Sequence, residues 1–473
     1  MTSSLKVSTQ GPRSLFGPGD PDTDGRFLSK SQSRALADRI FAMTKGGGKT
    51  NLYIDSRWIG NLRWARNDIV TGGDTQQTNI NLSRNIRGAG GNADTNAMTD
   101  QALRDCMARA EALILLRDED PDDYPDPMPE THPHGNPKIW FEKTVSIDEP
   151  SFAAIADRAI APAEAAHMFA AGYIEVNADS HSVLNNQGLF RYYPYTTAQC
   201  SITVRDPKGV GSGWAGVDWN DWDRINPEKL AQIALDKCLR SRNPVAVEPG
   251  RYTAILEPQA VCDLVSSIAD TLDREFAENG MGPFADPKRP GYSKIGQMVI
   301  DPRLTFSADP MDPDCGFVPF DWGGEPYTHV NWIDKGVLRE LSYSRGYGLR
   351  QLSKDFALPN SGSFRLSGGT STIEEMIANT TRGVLVTRFN NVQVLDINSL
   401  LATGNTRDGL WFIEHGKITK TIKNFRFTES PMFILNNIEM MGVPQRVFHP
   451  GAPAIVPPLM VRDFSFTGLI DAI

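Results

Sequence analysis

The stretch EPQAVCDLVSSIADTLDREFAENGMGPF, residues 257–284, decides how the rest of the chain reads. Val261, Val265, Ile268, Leu272 and Phe276 recur at three- and four-residue steps, the spacing of one face of a 3.6-residue period. Asp263, Ser266, Ser267, Asp270 and Asp273 fall on the other side. Pro258 suits a first helical turn, where a missing N–H is no loss, and Asn279-Gly280-Met281-Gly282-Pro283 is a stop signal. The spacing predicts one amphipathic helix, entered from a strand-like run at 252–256 and left through a Gly- and Pro-punctuated strand region. A helix between two β regions, its polar face turned away from its own core, is a natural place for a site.

At 473 residues the chain is too long for one compact core, and two domains are expected. The net charge of −9 is mild for this length and argues against a nucleic-acid partner. No apolar run approaches the ~20 residues that span a bilayer, so no membrane partner is expected. The opening MTSSLKVSTQGPRSLFGPGD has no apolar segment of the secretory kind, and a cytoplasmic location is expected. The five cysteines (Cys106, Cys200, Cys238, Cys262, Cys315) are odd in number, far apart and free of CxxC spacing, which suits buried free thiols in a reducing compartment. The seven histidines are equally scattered, and no HxxxH or HExxH spacing occurs. No resident metal or other cofactor is therefore expected in this chain.

Around the 257–284 stretch the chain reads as α+β: an N-terminal α/β domain of helices on antiparallel strands (31–248), followed by a β-rich C-terminal domain (249–473). Residues 1–30, rich in Gly, Pro, Ser and Asp, read as a flexible arm. Helices are expected over 33–43 and 99–116. Between them, strands lie around 52–58 and 62–64 with a hairpin turn at Gly60-Asn61, and a third strand spans 79–86. Asp and Pro dominate 118–137, which reads as a solvated loop. A helix over 151–171, broken at Pro162, precedes strands at 173–177, 189–193 and 200–205. The Gly-rich stretch 209–230 lacks the GxxxxGK[ST] of a phosphate loop, and Asp206, Asp218, Asp221 and Asp223 lack calcium-loop spacing. Asn226-Pro227-Glu228 then opens a helix with cap, N1 proline and first-turn acid. Beyond residue 293 strands prevail, with helices over 372–379 and 430–441.

Several motifs of the second half resemble the C-terminal domain of the TldD/PmbA (TldD/TldE) family. They are Ser293-Lys294-Ile295-Gly296 before a short strand and Asp301, the turn FDWGGEP at 320–326, and DKGVL at 334–338. GGTSTIEEMIANTTRGVLV (368–386) and WFIEHGKITKTIKNFRFTESPMFILNNIEMMG (411–442) are similar to that family's Gly–helix–strand and closing segments. The resemblance implies dimers enclosing a proteolytic chamber. In the active, TldD-type chain, an HExxxH on the helix early in the C-terminal half binds zinc with a later cysteine, and its Glu polarises a water.

In this sequence the HExxxH slot falls on 266–271, where Ser266, Ser267 and Thr271 stand in place of His, Glu and His, and no cysteine follows Cys315. Hydroxyls are poor zinc ligands beside imidazole. The chain is thus similar to the TldE/PmbA type. The resemblance then implies a subunit without its own zinc, pairing with a zinc-bearing TldD-like chain or with itself, and binding unfolded or modified peptides. Two alternatives stay open. One is a stand-alone hydrolase using helix carboxylates such as Asp270, Asp273 or Glu275 with Asp321 or Glu325; for those on the helix the plain reading is a solvated face. The other is a non-catalytic binding or assembly protein.

Overall fold

The structure, a computed structural model, describes residues 25–116, 135, 137–209 and 211–470. The expected arm up to residue 24 and nearly all of the acidic loop 118–137 lie outside the described residues. The arm's last residues are no arm: Phe27 and Leu28 are buried, 1% and 3% exposed.

The N-terminal half is one six-stranded antiparallel sheet carrying helices on one face, and the fold is α+β as expected. Its strands are β1 (Lys49–Ala65), β2 (Asp68–Ile86), β3 (Ala89–Thr95), β4 (Phe169–Asn185), β5 (Phe190–Arg205) and β6 (Ser212–Trp219), in the order β3-β2-β1-β4-β5-β6. Even-numbered residues of the central strands, such as Ile54 and Trp58, Ile174 and Val176, Cys200 and Ile202, are buried. They pack beneath α1 (Lys30–Met43), α2 (Asp100–Ile114), α4 (Glu149–Ala165) and α5 (Pro227–Arg240); a one-turn helix, α3 (Glu142–Val145), precedes α4. The helix starts follow local chemistry. Ser29 and Gln32 form a capping box on α1, and the Asn226 side chain accepts from the Lys229 N–H at 2.8 Å on α5. All five cysteines are free and buried.

Strand lengths differ from expectation in this half. No turn forms at Gly60-Asn61; β1 runs straight through, because Gly60 lies beneath the Trp58 ring, where a Cβ would sit 2.7 Å from a ring carbon. The turn is at Arg66-Asn67, with φ of 53° and 68°, the left-handed pair of a type I′ hairpin. The Asn67 side chain accepts from the Ala170 N–H (2.6 Å) and donates to the Met168 carbonyl (3.0 Å), tying this turn to the start of β4. Asn67→Ala removes both bonds and is expected to cost about 1–2 kcal/mol, read as a lower thermal midpoint; an unchanged midpoint would refute this.

Likewise α4 is not broken at Pro162 but ends at Ala165, in a Schellman motif with His167 in the left-handed conformation (φ 55°). The Met168 N–H bonds the Ala163 carbonyl at 2.8 Å. The segments expected at 189–193 and 200–205 are one strand.

The second half is strand-rich. Gly250–Leu256 (β7), Leu459–Leu469, Phe425–Glu429, Leu401–Glu414 and Arg382–Asp396 pair in a closed circuit, the last returning to β7 in parallel. Phenylalanines fill it: Phe389 lies 4.5 Å from Phe427 and 5.6 Å from Phe464, centroid to centroid. A six-stranded sheet of short strands, including Phe306–Ala308, Val330–Asp334 and Phe364–Leu366, packs alongside. The helix expected over 430–441 is a single turn, Pro431–Ile434, followed by the strand Ile438–Met441, which pairs with Leu459–Leu469.

The 257–284 stretch is two helices rather than one: α6 (Pro258–Ala269) and α7 (Arg274–Glu278). The apolar stripe is as read up to Leu272, with Val261, Val265, Ile268 and Leu272 each at most 1% exposed, whereas Phe276 sits on the second helix, half-buried. The break has a tertiary cause. Leu272 accepts from the N–H and hydroxyl of Ser342 (2.9 and 2.6 Å), and Arg274 donates its N–H to the Ser342 carbonyl (2.8 Å). Asn360 caps the Ala269 carbonyl at 2.7 Å. A neighbouring segment thus takes the backbone groups that a continuous helix would need for itself.

Candidate functional site

Among the described residues, the odd-numbered face of β1, β4 and β5 carries no helix. It forms one wall of a cleft of about 650 Å³ whose other wall comes from the second half of the chain. The pairing register sets the polar residues opposite one another: Asp55 against His181, Arg57 against Asp179, Asp179 against Tyr195, Asn177 against Thr197, and Glu175 against Gln199. Such cross-strand pairs touch on a pleated sheet. His181 Nε2 lies 3.0 Å from Asp55 Oδ1 and 2.8 Å from the Tyr195 hydroxyl. Arg57 reaches Asp55 at 3.2 Å and Asp179 at 3.7 Å. The Asn177 amide nitrogen donates to Thr197 Oγ1 (2.8 Å) and Glu175 Oε1 (3.0 Å), and Gln199 also donates to Glu175 (2.9 Å).

Burial splits the two carboxylates of this network. Asp179, 2% exposed, is pushed by burial up to about 7; Arg57 opposes the shift and the Asp55 charge adds to it. Burial acts on Asp55 too, but the hydrogen bond and charge of His181, with Arg57, hold its carboxyl below the usual range. Burial keeps the Tyr195 phenol protonated well beyond its ordinary range. Neighbouring carboxyls held in opposite protonation states near neutrality can supply a proton acceptor and a proton donor side by side. Sequence reading missed this group, although its signal was present. Tyr53, Asp55 and Arg57, then Glu175, Asn177, Asp179 and His181, then Tyr195, Thr197 and Gln199 recur at every second position, the period of a strand, with apolar or small hydroxyl residues between them.

The facing wall gathers some of the residues singled out in the sequence and not others. Asp270, the C-cap of α6, and Asp321 both line the cleft. Asp321 holds the FDWGGEP turn, accepting from the N–H groups of Gly323 and Glu325 (2.8 Å each), and burial raises its carboxyl above the usual range. Glu325 points elsewhere; it is 5% exposed and burial pushes it up to about 7, with the Asp321 charge adding. Asp273 caps α7 through the Phe276 N–H (2.7 Å), and Glu275 is exposed near Arg350 (3.9 Å). These two line a separate, more open groove of about 470 Å³ with Ser267, Asp270 and Thr271.

Arg274 serves none of these carboxylates, pairing instead with Glu278 at 2.8 Å. Asp263 is turned inward, accepting from the Phe389 N–H (2.7 Å) and Gln259 (2.9 Å). The carboxylates of this stretch therefore do not share one polar helix face. The Asp206–Asp223 acids are likewise dispersed, to Arg242, Arg446 and Lys143 among others.

The 266–271 slot does not fit a zinc ion. The Ser267 hydroxyl donates to the Leu264 carbonyl (2.8 Å) and the Thr271 hydroxyl to the Ile268 carbonyl (3.0 Å). Because α6 ends at Ala269, Thr271 lies beyond the helix and is 4% exposed, so Ser266 and Thr271 do not project from one helix face. Among the described residues no group of three His, Cys, Asp or Glu side chains is placed to hold a metal ion.

Comparison with known proteins gives three kinds of likeness. Residues 249–468 match the family model of the PmbA/TldA metallopeptidase C-terminal domain. A Haemophilus influenzae protein named "Metalloprotease TldD homolog" is 24% identical over 258 residues, covering 50% of this chain and 51% of the relative. The match thus spans about half the length of that curated relative. Among solved structures, TldE from Thermococcus kodakarensis superposes with a TM-score of 0.77 at 14% identity, covering 93% of this chain and 100% of that one. Proteins described as candidate modulators of DNA gyrase behave similarly. The one from Thermotoga maritima has a TM-score of 0.78 at 16% identity, covering 92% of this chain and 100% of its own. The one from Bacteroides thetaiotaomicron has 0.77 at 18%, covering 93% and 99%. At such identities the structural likeness establishes the fold alone.

Proposed function

The chain belongs to the TldD/PmbA family through residues 249–468, and from that membership we propose that it is a TldE/PmbA-like subunit of a peptidase complex. In this reading it shapes the chamber and holds unfolded or modified peptides, while a TldD-like partner supplies zinc. The observation that carries it is the cleft between the polar sheet face and the end of α6, beside a slot whose hydroxyls are turned into their own backbone. A cleft of this volume, with aromatic walls and a few convergent polar groups, suits a peptide side chain. We place the complex in the cytoplasm, where its five buried thiols remain reduced.

The test is purification of the chain alone and together with an HExxxH-bearing relative. Hydrolysis of an unfolded protein such as reduced casein should require both chains, and zinc should accompany the partner. Elemental analysis of the chain alone showing about one zinc per chain, removed by chelator together with activity, would sink the subunit reading.

A second reading, a stand-alone hydrolase, is favoured by the Asp55–Asp179 pair rather than by the carboxylates around α6. It requires activity of the isolated chain that is indifferent to chelators and lost in Asp179→Asn.

A further inference from the structure

The cleft is more acidic than its built-in cations can balance. Among the described residues, six carboxyl side chains line it against two arginines and one histidine. Arg446 is taken by Asp218 at 2.6 Å, and Arg57 is held between Asp55 and Asp179. Among the described residues Glu175, Asp270 and Asp321 have no ion-pair partner. The C-terminal end of α6 also points at the cleft through Ala269 and Asp270, adding the negative end of a helix dipole. Low-dielectric walls concentrate such a field.

A second observation, independent of charge, concerns Asn177. This residue is 9% exposed, and both donors of its amide are used, on Glu175 and Thr197, which fixes which branch is oxygen. That oxygen, Oδ1, is buried in the cleft wall and has no hydrogen-bond donor, and Asp179 Oδ1 beside it, though 3.7 Å from Arg57 Nε, has no hydrogen bond either. A buried acceptor without a donor costs free energy unless a ligand supplies one. Two acceptors in an acidic cleft call for a ligand that brings positive charge and N–H groups together. Aromatic faces complete the arrangement. Trp322, 70% exposed, lies over Tyr53 with centroids 4.1 Å apart, and such a face attracts an organic cation.

We propose that this cleft selects ligands carrying an N–H-donating organic cation, either a lysine- or arginine-type side chain or a free amino terminus, seated against Asn177 and Asp179. The proposal rests on the peptide-holding reading and deepens it by naming the group recognised. The cation's N–H groups satisfy Asn177 Oδ1 and the ionised Asp179, and its carbon stem packs against the Tyr53 and Trp322 rings.

Binding to the whole chain is measured by calorimetry and by tryptophan fluorescence at about pH 8, where Asp179 is largely ionised. The probes are N-acetyl-lysine methylamide, alanine methylamide with its free ammonium, the neutral isostere N-acetyl-norleucine methylamide, and an uncharged, capped, unstructured peptide. At least one cationic probe should bind about tenfold or more tighter than the norleucine compound, and Asp179→Asn or Asn177→Ala should each erase most of that preference. The lysine and alanine arms distinguish a side chain from a terminus. Trp322→Ala, at an exposed position, should weaken the same probe and serves where the sheet variants fail to fold.

Binding of neither cationic probe tighter than the norleucine compound, or a preference that survives all folded variants, overturns the proposal. Binding of the uncharged peptide alone overturns it while leaving the peptide-holding reading standing. Binding of no probe, peptide included, removes both.

Discussion

Ile268→Ala should lower the free energy of unfolding by about 3–4 kcal/mol, the mid-range of large-to-small core substitutions. Ile268 is 0% exposed and sits in the largest apolar cluster, between α6 and the strands of the second half. The lost methylene and methyl groups forfeit transfer free energy, and the neighbours are held by two sheets, so the cavity cannot collapse. Ser266→Ala on the same helix, half-buried and outside that cluster, should change stability by less than about 0.5 kcal/mol. Urea unfolding of both variants against the parent makes the comparison internal to one helix. Equal costs at the two positions would mean that the buried face of α6 has been misassigned. Nothing in this expectation depends on function, so it tests the scaffold that places Asp270 in the cleft.

Asp179→Asn should flatten the pH dependence of stability between about pH 4 and pH 7. Burial raises the folded-state carboxyl to about 7, against about 3.9 in an unfolded chain. Between those values the folded state keeps a proton that the unfolded state has released. The resulting stabilisation is complete below about pH 4, falls as pH rises, and is gone once pH has passed through about 7. Three units at about 1.4 kcal/mol each make the swing about 4 kcal/mol at most. The amide variant lacks that proton equilibrium, so relative to the parent it gains by this amount from about pH 4 to about pH 8. Arg57 keeps Asp55 at 3.2 Å in the variant, so no guanidinium is orphaned. Urea midpoints across the range decide it: parallel curves for parent and variant would show that Asp179 titrates as an ordinary surface acid.

What the sequence by itself determined is what local periodicity and end chemistry encode. The capped starts of α2 and α5 at Thr99 and Asn226, and the apolar stripe of α6 through Leu272, could be read because each is set within a few residues of chain. The alternation of β1, β4 and β5 was equally local, and the ordered motifs from Ser293 to Gly442 pointed to the family that residues 249–468 match.

Other features depend on partners distant in sequence, which no window of sequence displays. The break between α6 and α7 exists because Ser342 and Asn360, 70 and 91 residues away, take its backbone groups. The straight run of β1 through Gly60 depends on Phe152, far along the chain, lying with Trp58 over it. Above all, alternation says that a strand has a polar face but not what that face meets. Only the tertiary structure laid Asp55, Asp179 and His181 side by side and roofed them with Asp321, Trp322 and the end of α6. In doing so it turned a solvated sheet face into an enclosed one, where desolvation separates carboxyl protonation states and leaves Asn177 without a donor.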